Sequence, residues 1–283
     1  MLRASLEEDL GGPGDVTTIA TVAARSPARA AVRAGERSIV AGLALFDPLA
    51  GAFRARGRPE EEATSLEMVG SVGDGSQVDA GGVVCTLAGT ARALITVERT
   101  FLNFLGRLSG IATVTRAYVD AVRAVGSPAR VLDTRKTTPG HRVLEKYAVA
   151  CGGGTNHRIG LFDAVLIKDN HVVAAGGIGP AVERALAKAP AGIKVEVECD
   201  SLDQVEQALA AGAKAVLLDN FTTADVATAV KTVAGRARVE VSGGITLETI
   251  GAYARSGADD ISVGRLTHSA PSVDVSMEVE LLR

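Results

Sequence analysis

IKVEVECDSLDQVEQALAAGAKAVLLDN, residues 193–220, sets two short β-rich runs, 193–198 and 215–219, on either side of a stretch punctuated as a helix. Ser201 followed by Gln204 is a capping-box pattern, and Gly212 is a helix stop. The two runs are nearly continuously apolar, as expected of parallel strands covered on both faces. Outward from this unit the pattern recurs: runs at 131–133, 164–168, 238–242 and 261–264 bring the strand count to six. Thr246 and Gly257 bracket a further helix, and Pro139 suits the first turn of another. Late strands separated by roughly 20 to 30 residues favour a (β/α) barrel, whose helices need that much chain per unit. A doubly wound sheet is the alternative.

Residues 1–110 read differently. Strand-like pieces at 30–34, 65–69 and 83–87 are separated by glycine turns, Gly73-Asp74-Gly75 and Gly81-Gly82, which suggests an α+β unit. A strongly helical stretch at 92–125, expected to break near Ser109-Gly110, joins the halves. The expected fold class is α/β, with an N-terminal α+β domain over 1–108 and a catalytic barrel over 109–270. Segment 271–283 has no partner in the barrel pattern and is expected to return to the first domain.

Composition narrows the function classes. A chain of 283 residues can bury two cores. It has no uninterrupted apolar run of about 18 residues and no apolar signal-peptide stretch, so a soluble cytoplasmic protein is expected. Cys85, Cys151 and Cys199 are odd in number and form no CxxC pair, which argues against a disulfide framework or a structural zinc site. A net charge of −3 argues against a dedicated nucleic-acid binder, so anion binding must be local.

The predicted strands end in Asp133, Lys168, Glu198, Asp219, Ser242 and Gly264, and barrel enzymes build their sites from such ends. Chemistry is densest in DTRKTTPGHR (133–142), GGGTNHR (152–158) and IKDNH (167–171). Arg135, Lys136, His157, Arg158 and Lys168 would form a local cationic pocket. Guanidinium groups suit carboxylates through paired hydrogen bonds, and lysines serve phosphates as mobile charges. Glu198 and Asp219, at neighbouring strand ends, can hold a hydrated Mg²⁺ or accept hydrogen bonds from sugar hydroxyls. Ser242, Gly243, Gly244 and Gly264, in SGGI and VGR, close the last two strands where barrels commonly bind a phosphate. The pieces describe a phosphosugar polyanion and a carboxylated partner. Singly, each charge could be a solvated strand end or an ion-pair partner; the clustering carries the functional reading. His141, His268 and the cysteines read as structural or peripheral.

These residues resemble the quinolinate phosphoribosyltransferases. The resemblance spans nearly the whole chain, from EDLGGPGDVTT (8–18) through TVERTFLNFLGRLSGIAT (96–113), DTRKTTPG, EKYAV, GGGTNHR, IKDNH, EVE, LLDNF and SGGI to VGRLTHS. It implies an N-terminal sandwich domain and a C-terminal open barrel of seven strands. It also implies a homodimer, or a higher oligomer, whose sites are completed by the partner. The implied reaction joins quinolinate to phosphoribosyl pyrophosphate and releases pyrophosphate and CO₂ to give nicotinate mononucleotide, with Mg²⁺ as cofactor. Arg135, His157, Arg158 and Lys168 would surround the quinolinate carboxylates, and Arg99 would enter from the other subunit. Lys136, Glu198 and Asp219 would serve phosphoribosyl pyrophosphate and its Mg²⁺ as catalytic groups, while Ser242, Gly243, Gly244 and Gly264 would hold the 5′-phosphate. His141 stands where an aliphatic residue is expected, and its role is left open.

Other readings stay open on the residues alone. A related protein found with molybdate transport systems shares the implied architecture, though the paired arginines and NHR favour quinolinate. Lys168 could be a Schiff-base lysine of an aldolase-type barrel. A non-catalytic binder would leave the metal-type carboxylates unexplained.

Overall fold

The computed structural model describes residues 1–56 and 65–282. The chain divides into two compact units: Met1–Val114 with Ala150–Gly152 and Ala270–Arg283, and Thr115–Val149 with Gly153–Ser269.

In the first unit β1 (Pro27–Ala34), β2 (Ser38–Ile39), β3 (Leu66–Ser71), β4 (Gln77–Val78), β5 (Val83–Thr90) and the last strand of the chain, β12 (Val275–Leu281), form two sheets. The larger is antiparallel in the order β12-β1-β5-β3, and β2 pairs with β4. Alternate residues of β1, Ala28, Ala30, Val32 and Ala34, are buried, as the period of 2 requires of a sheet with one covered face. Phe46, Leu49, Phe53, Leu94 and Phe101 belong to the core against it, with Phe46 and Phe101 edge to face at 5.1 Å.

The helical stretch expected to break near Ser109-Gly110 is one helix, Ala91–Ala124. Its glycines serve close approach instead. A Cβ on Gly110 would lie 1.9 Å from the Pro271 carbonyl oxygen, and one on Gly106 would lie 2.7 Å from that of Val273. Segment 270–273 is held there by Arg107 Nη1, which donates to Ala270 O at 2.7 Å, and by Val273 N, which donates to Gly106 O at 3.0 Å. Gly110→Ala is therefore expected to force the crossing backbone away and to destabilise the protein by about 1–3 kcal/mol. A thermal midpoint unchanged from wild type would contradict this packing.

The second unit carries β6 (Arg130–Leu132), β7 (Val165–Ile167), β8 (Val195–Cys199), β9 (Ala215–Asp219), β10 (Arg238–Ser242) and β11 (Asp260–Ser262), the six strands expected. They are parallel in the order β6-β11-β10-β9-β8-β7, so the first strand lies beside the last, as in a barrel. The seventh strand implied by the resemblance is reduced to a single bridge, Leu132↔Thr155. Gly152, Gly153 and Gly154 precede Thr155 and disfavour a strand; Gly153 sits at φ +89°, and a Cβ on Gly154 would strike Val149 and Thr115 at 2.7 and 2.8 Å. The barrel is thus open between Thr155 and β7. The helix Leu202–Ala210 starts at Ser201 as expected, but the Ser201 side chain does not cap it; Gln204 instead accepts from Asp200 N at 3.0 Å.

Strand register explains the isolated charges inside apolar runs. Leu166 lies opposite Glu196, Glu198 opposite Leu217, Leu217 opposite Glu240, and Glu240 opposite Asp260, so all share one face. The valines between them face the surrounding helices. On the shared face, Asp260 takes Arg130 of β6 at 2.7 and 3.1 Å and Arg238 of β10 at 2.8 Å.

Candidate active site

Two residues beyond Leu166, Glu196, Leu217 and Glu240 come Lys168, Glu198, Asp219 and Ser242, so the expected strand-end residues share that face at the barrel mouth. Lys168 Nζ donates to Glu198 Oε2, so this lysine is ion-paired at the mouth. Asp219 Oδ2 accepts from Asn220 Nδ2 at 2.8 Å. Asn220, itself at φ 58°, presses on Gly243, where a Cβ would lie 2.2 Å from Asn220 Oδ1. Gly243, at φ +102°, must therefore be glycine, and Gly244 follows at φ +60°. Lys136 is brought to this end from the first barrel loop. Its Cδ would be 3.2 Å from a Cβ on Gly264, and its carbonyl accepts from Thr267 Oγ1 at 2.8 Å.

Arg135 and Arg158 are neighbours. Burial, and then the charge of Arg135, lowers the pKa of the Arg158 guanidinium. Arg158 Nη1 donates to Ala164 O at 3.3 Å, while Arg135 Nε is buried with no hydrogen-bond partner among the described residues. Two guanidiniums close enough for their charges to interact, one with a buried Nε that has no partner among the described residues, suit a ligand that brings carboxylate charge.

His157 lies one layer deeper, and its side chain is 12% exposed. Nδ1 accepts from Arg158 N at 2.7 Å, and Nε2 faces Glu196 Oε2 at 3.2 Å and Glu240 Oε2 at 3.4 Å. Burial alone would lower its pKa, but the two glutamates lift it to about 9. The Arg158 N–H aimed at Nδ1 opposes a second ring proton. Burial holds the Glu240 carboxyl above the usual range, while His157 and Lys194 hold Glu196 below it against its own burial. The ligand atoms of His157, Glu196 and Glu240 lie within 4.8 Å of one another. A metal on Nε2 would need the proton moved to Nδ1, against that same N–H, so His157 and Glu196 read as a hydrogen-bonded pair under Arg158, with Glu240 Oε2 buried beside them and without a hydrogen-bond partner among the described residues.

Arg99 belongs to the first unit. It is exposed on the long helix and lines a cavity of about 250 Å³ with Leu102, Asn103 and residues 272–275. Glu196, Glu240 and Lys146 were not singled out from the sequence as site residues, although the alternation VEVE was a readable signal that one face of β8 is charged.

Residues 15–109 match the family model of the quinolinate phosphoribosyl transferase N-terminal domain, and residues 111–278 match that of the C-terminal domain. The chain belongs to this family. It is 41% identical over 285 residues to a nicotinate-nucleotide pyrophosphorylase [carboxylating] of Mycobacterium leprae, covering 98% of this chain and 95% of the relative. It is 46% identical over 209 residues to a probable enzyme of the same name from Bacillus subtilis, covering 74% and 71%. The crystal structure of NadC from Streptococcus pyogenes superposes with a TM-score of 0.90 at 40% identity, covering 100% of this chain and 96% of that one.

Proposed function

We infer that this family member transfers the phosphoribosyl group of phosphoribosyl pyrophosphate to quinolinate with loss of CO₂, giving nicotinate mononucleotide and pyrophosphate for NAD biosynthesis. The Arg135–Arg158 pair carries this reading, because adjacent guanidiniums in a protein of net charge −3 suit a dicarboxylate. Departure of pyrophosphate leaves positive charge at the ribose C1, which Glu198 and Asp219 at the mouth would stabilise. Lys136, beside Gly264, would neutralise the phosphate side. Holding the pyridine nitrogen in line with C1 removes an entropic barrier. Once that nitrogen is quaternised, the ring accepts the electrons released with CO₂. Quinolinate labelled in its 2-carboxyl should release labelled CO₂ only when phosphoribosyl pyrophosphate is present, in step with pyrophosphate; release without it would contradict the reading.

Mg²⁺ fits as cofactor. Glu198 and Asp219 offer hard oxygen donors at adjacent strand ends, and the ion would neutralise the pyrophosphate oxygens. Glu198→Ala and Asp219→Ala should each lower turnover roughly ten- to hundredfold and raise the Mg²⁺ needed for half-maximal rate. Wild-type kinetics across a Mg²⁺ titration would reduce both to strand-end caps. We further propose a homodimer in which Arg99 reaches the partner's quinolinate. No helix among the described residues is long and apolar enough to cross a membrane.

A further inference from the structure

The EKYAV motif at 145–149 is not absorbed by the site, yet its first two side chains are among the most buried charges in the protein: Glu145 is 1% exposed and Lys146 2%. They sit on the first turns of the helix Arg142–Cys151 and take different partners. Glu145 holds the loop that carries Arg135 and Lys136: Thr138 Oγ1 donates to its Oε1 at 2.8 Å, and Thr138 N donates to its Oε2 at 3.2 Å. Lys146 holds the segment that carries His157 and Arg158. Its Nζ donates to Asp133 Oδ1 and, at 3.0 Å, to His157 O. Asp133, 0% exposed, completes the frame by accepting from His157 N at 2.8 Å and, with the Asn156 amide nitrogen turned toward it, from Asn156 at 2.7 Å. Arg142, on the same helix, repeats the span more loosely, donating to Thr137 Oγ1 at 3.0 Å and to Ile159 O at 3.1 Å.

A buried ion pair is a poor source of stability, because desolvation offsets its attraction and an apolar pair of equal volume often does as well. A fully hydrogen-bonded one fixes geometry. We propose that Glu145 and the Lys146–Asp133 pair are positioning residues that set the distance between the two cation-bearing loops, and with it the fit of Arg135 and Arg158 to a dicarboxylate. The inference rests on the function proposed above.

The test uses the full-length enzyme with quinolinate and phosphoribosyl pyrophosphate. Asp133→Asn/Lys146→Met removes the buried charges at nearly constant volume and should fold. It should raise KM and the directly titrated Kd for quinolinate roughly ten- to hundredfold, and leave KM for phosphoribosyl pyrophosphate within about threefold. Glu145→Gln should raise both KM values, since its loop carries both Arg135 and Lys136. A folded double variant with wild-type quinolinate affinity overturns the proposal, even if its melting temperature falls, because a purely structural pair would move only the latter. If the double variant does not fold, Thr138→Val decides: raised KM values support the clamp, and wild-type kinetics overturn it. Absence of turnover by the wild-type protein would instead count against the proposed function.

Discussion

Arg135→Ala is expected to lower kcat/KM for quinolinate by roughly thirty- to several-thousandfold, the effect of about 2–5 kcal/mol that follows truncation of one partner in a buried charge pair. Arg135 is half-buried, and its buried Nε has no hydrogen-bond partner among the described residues. The fold should survive, because Arg142 grips the Arg135 carbonyl at 3.4 Å and not its side chain. Arg135→Lys keeps the charge but loses the planar fork, and should fall between wild type and alanine. Steady-state kinetics on variants with wild-type circular dichroism check this. A kcat/KM for Arg135→Ala within threefold of wild type would remove the arginine pair from the site.

The second large effect concerns substrate choice. Nicotinate lacks the 2-carboxylate of quinolinate, so its binding would leave a guanidinium of the Arg135–Arg158 pair without counter-charge in a site that already disfavours two adjacent cations. Sites built to pair a polar group reject ligands that lack it far more strongly than apolar pockets reject a missing methylene. Discrimination of at least about a thousandfold in kcat/KM against nicotinate is expected. Comparable values for the two acids, measured in competition, would mean that the pair does not read the second carboxylate.

Much of this arrangement was legible in the sequence because short apolar runs with polar ends leave a direct signature. The six barrel strands were found that way, and so were Asp219 and Ser242, which end their strands; Lys168 lies one residue past β7 and Glu198 one residue before the end of β8. Side-chain direction was harder to see. Glu196 and Glu240 interrupt runs of valine, and only the register across β8, β9 and β10 shows that they face one interior and meet at His157. Ser109-Gly110 looks like a helix break because the chain that crosses the helix there lies more than 160 residues away in sequence, as the Arg107–Ala270 hydrogen bond shows. The seventh strand failed for a local reason: three successive glycines leave Thr155 able to make one bridge and no ladder. Glu145 and Lys146 belong to the EKYAV motif, but their burial carries no sequence signal, since an adjacent Glu-Lys pair on a helix usually marks a solvated surface.

The most direct measurement is to mix the purified protein with quinolinate, phosphoribosyl pyrophosphate and Mg²⁺, and to follow products by mass. Formation of nicotinate mononucleotide, with one pyrophosphate and one CO₂ per turnover, is the expected result. Consumption of neither substrate under conditions in which the protein is folded would contradict the account.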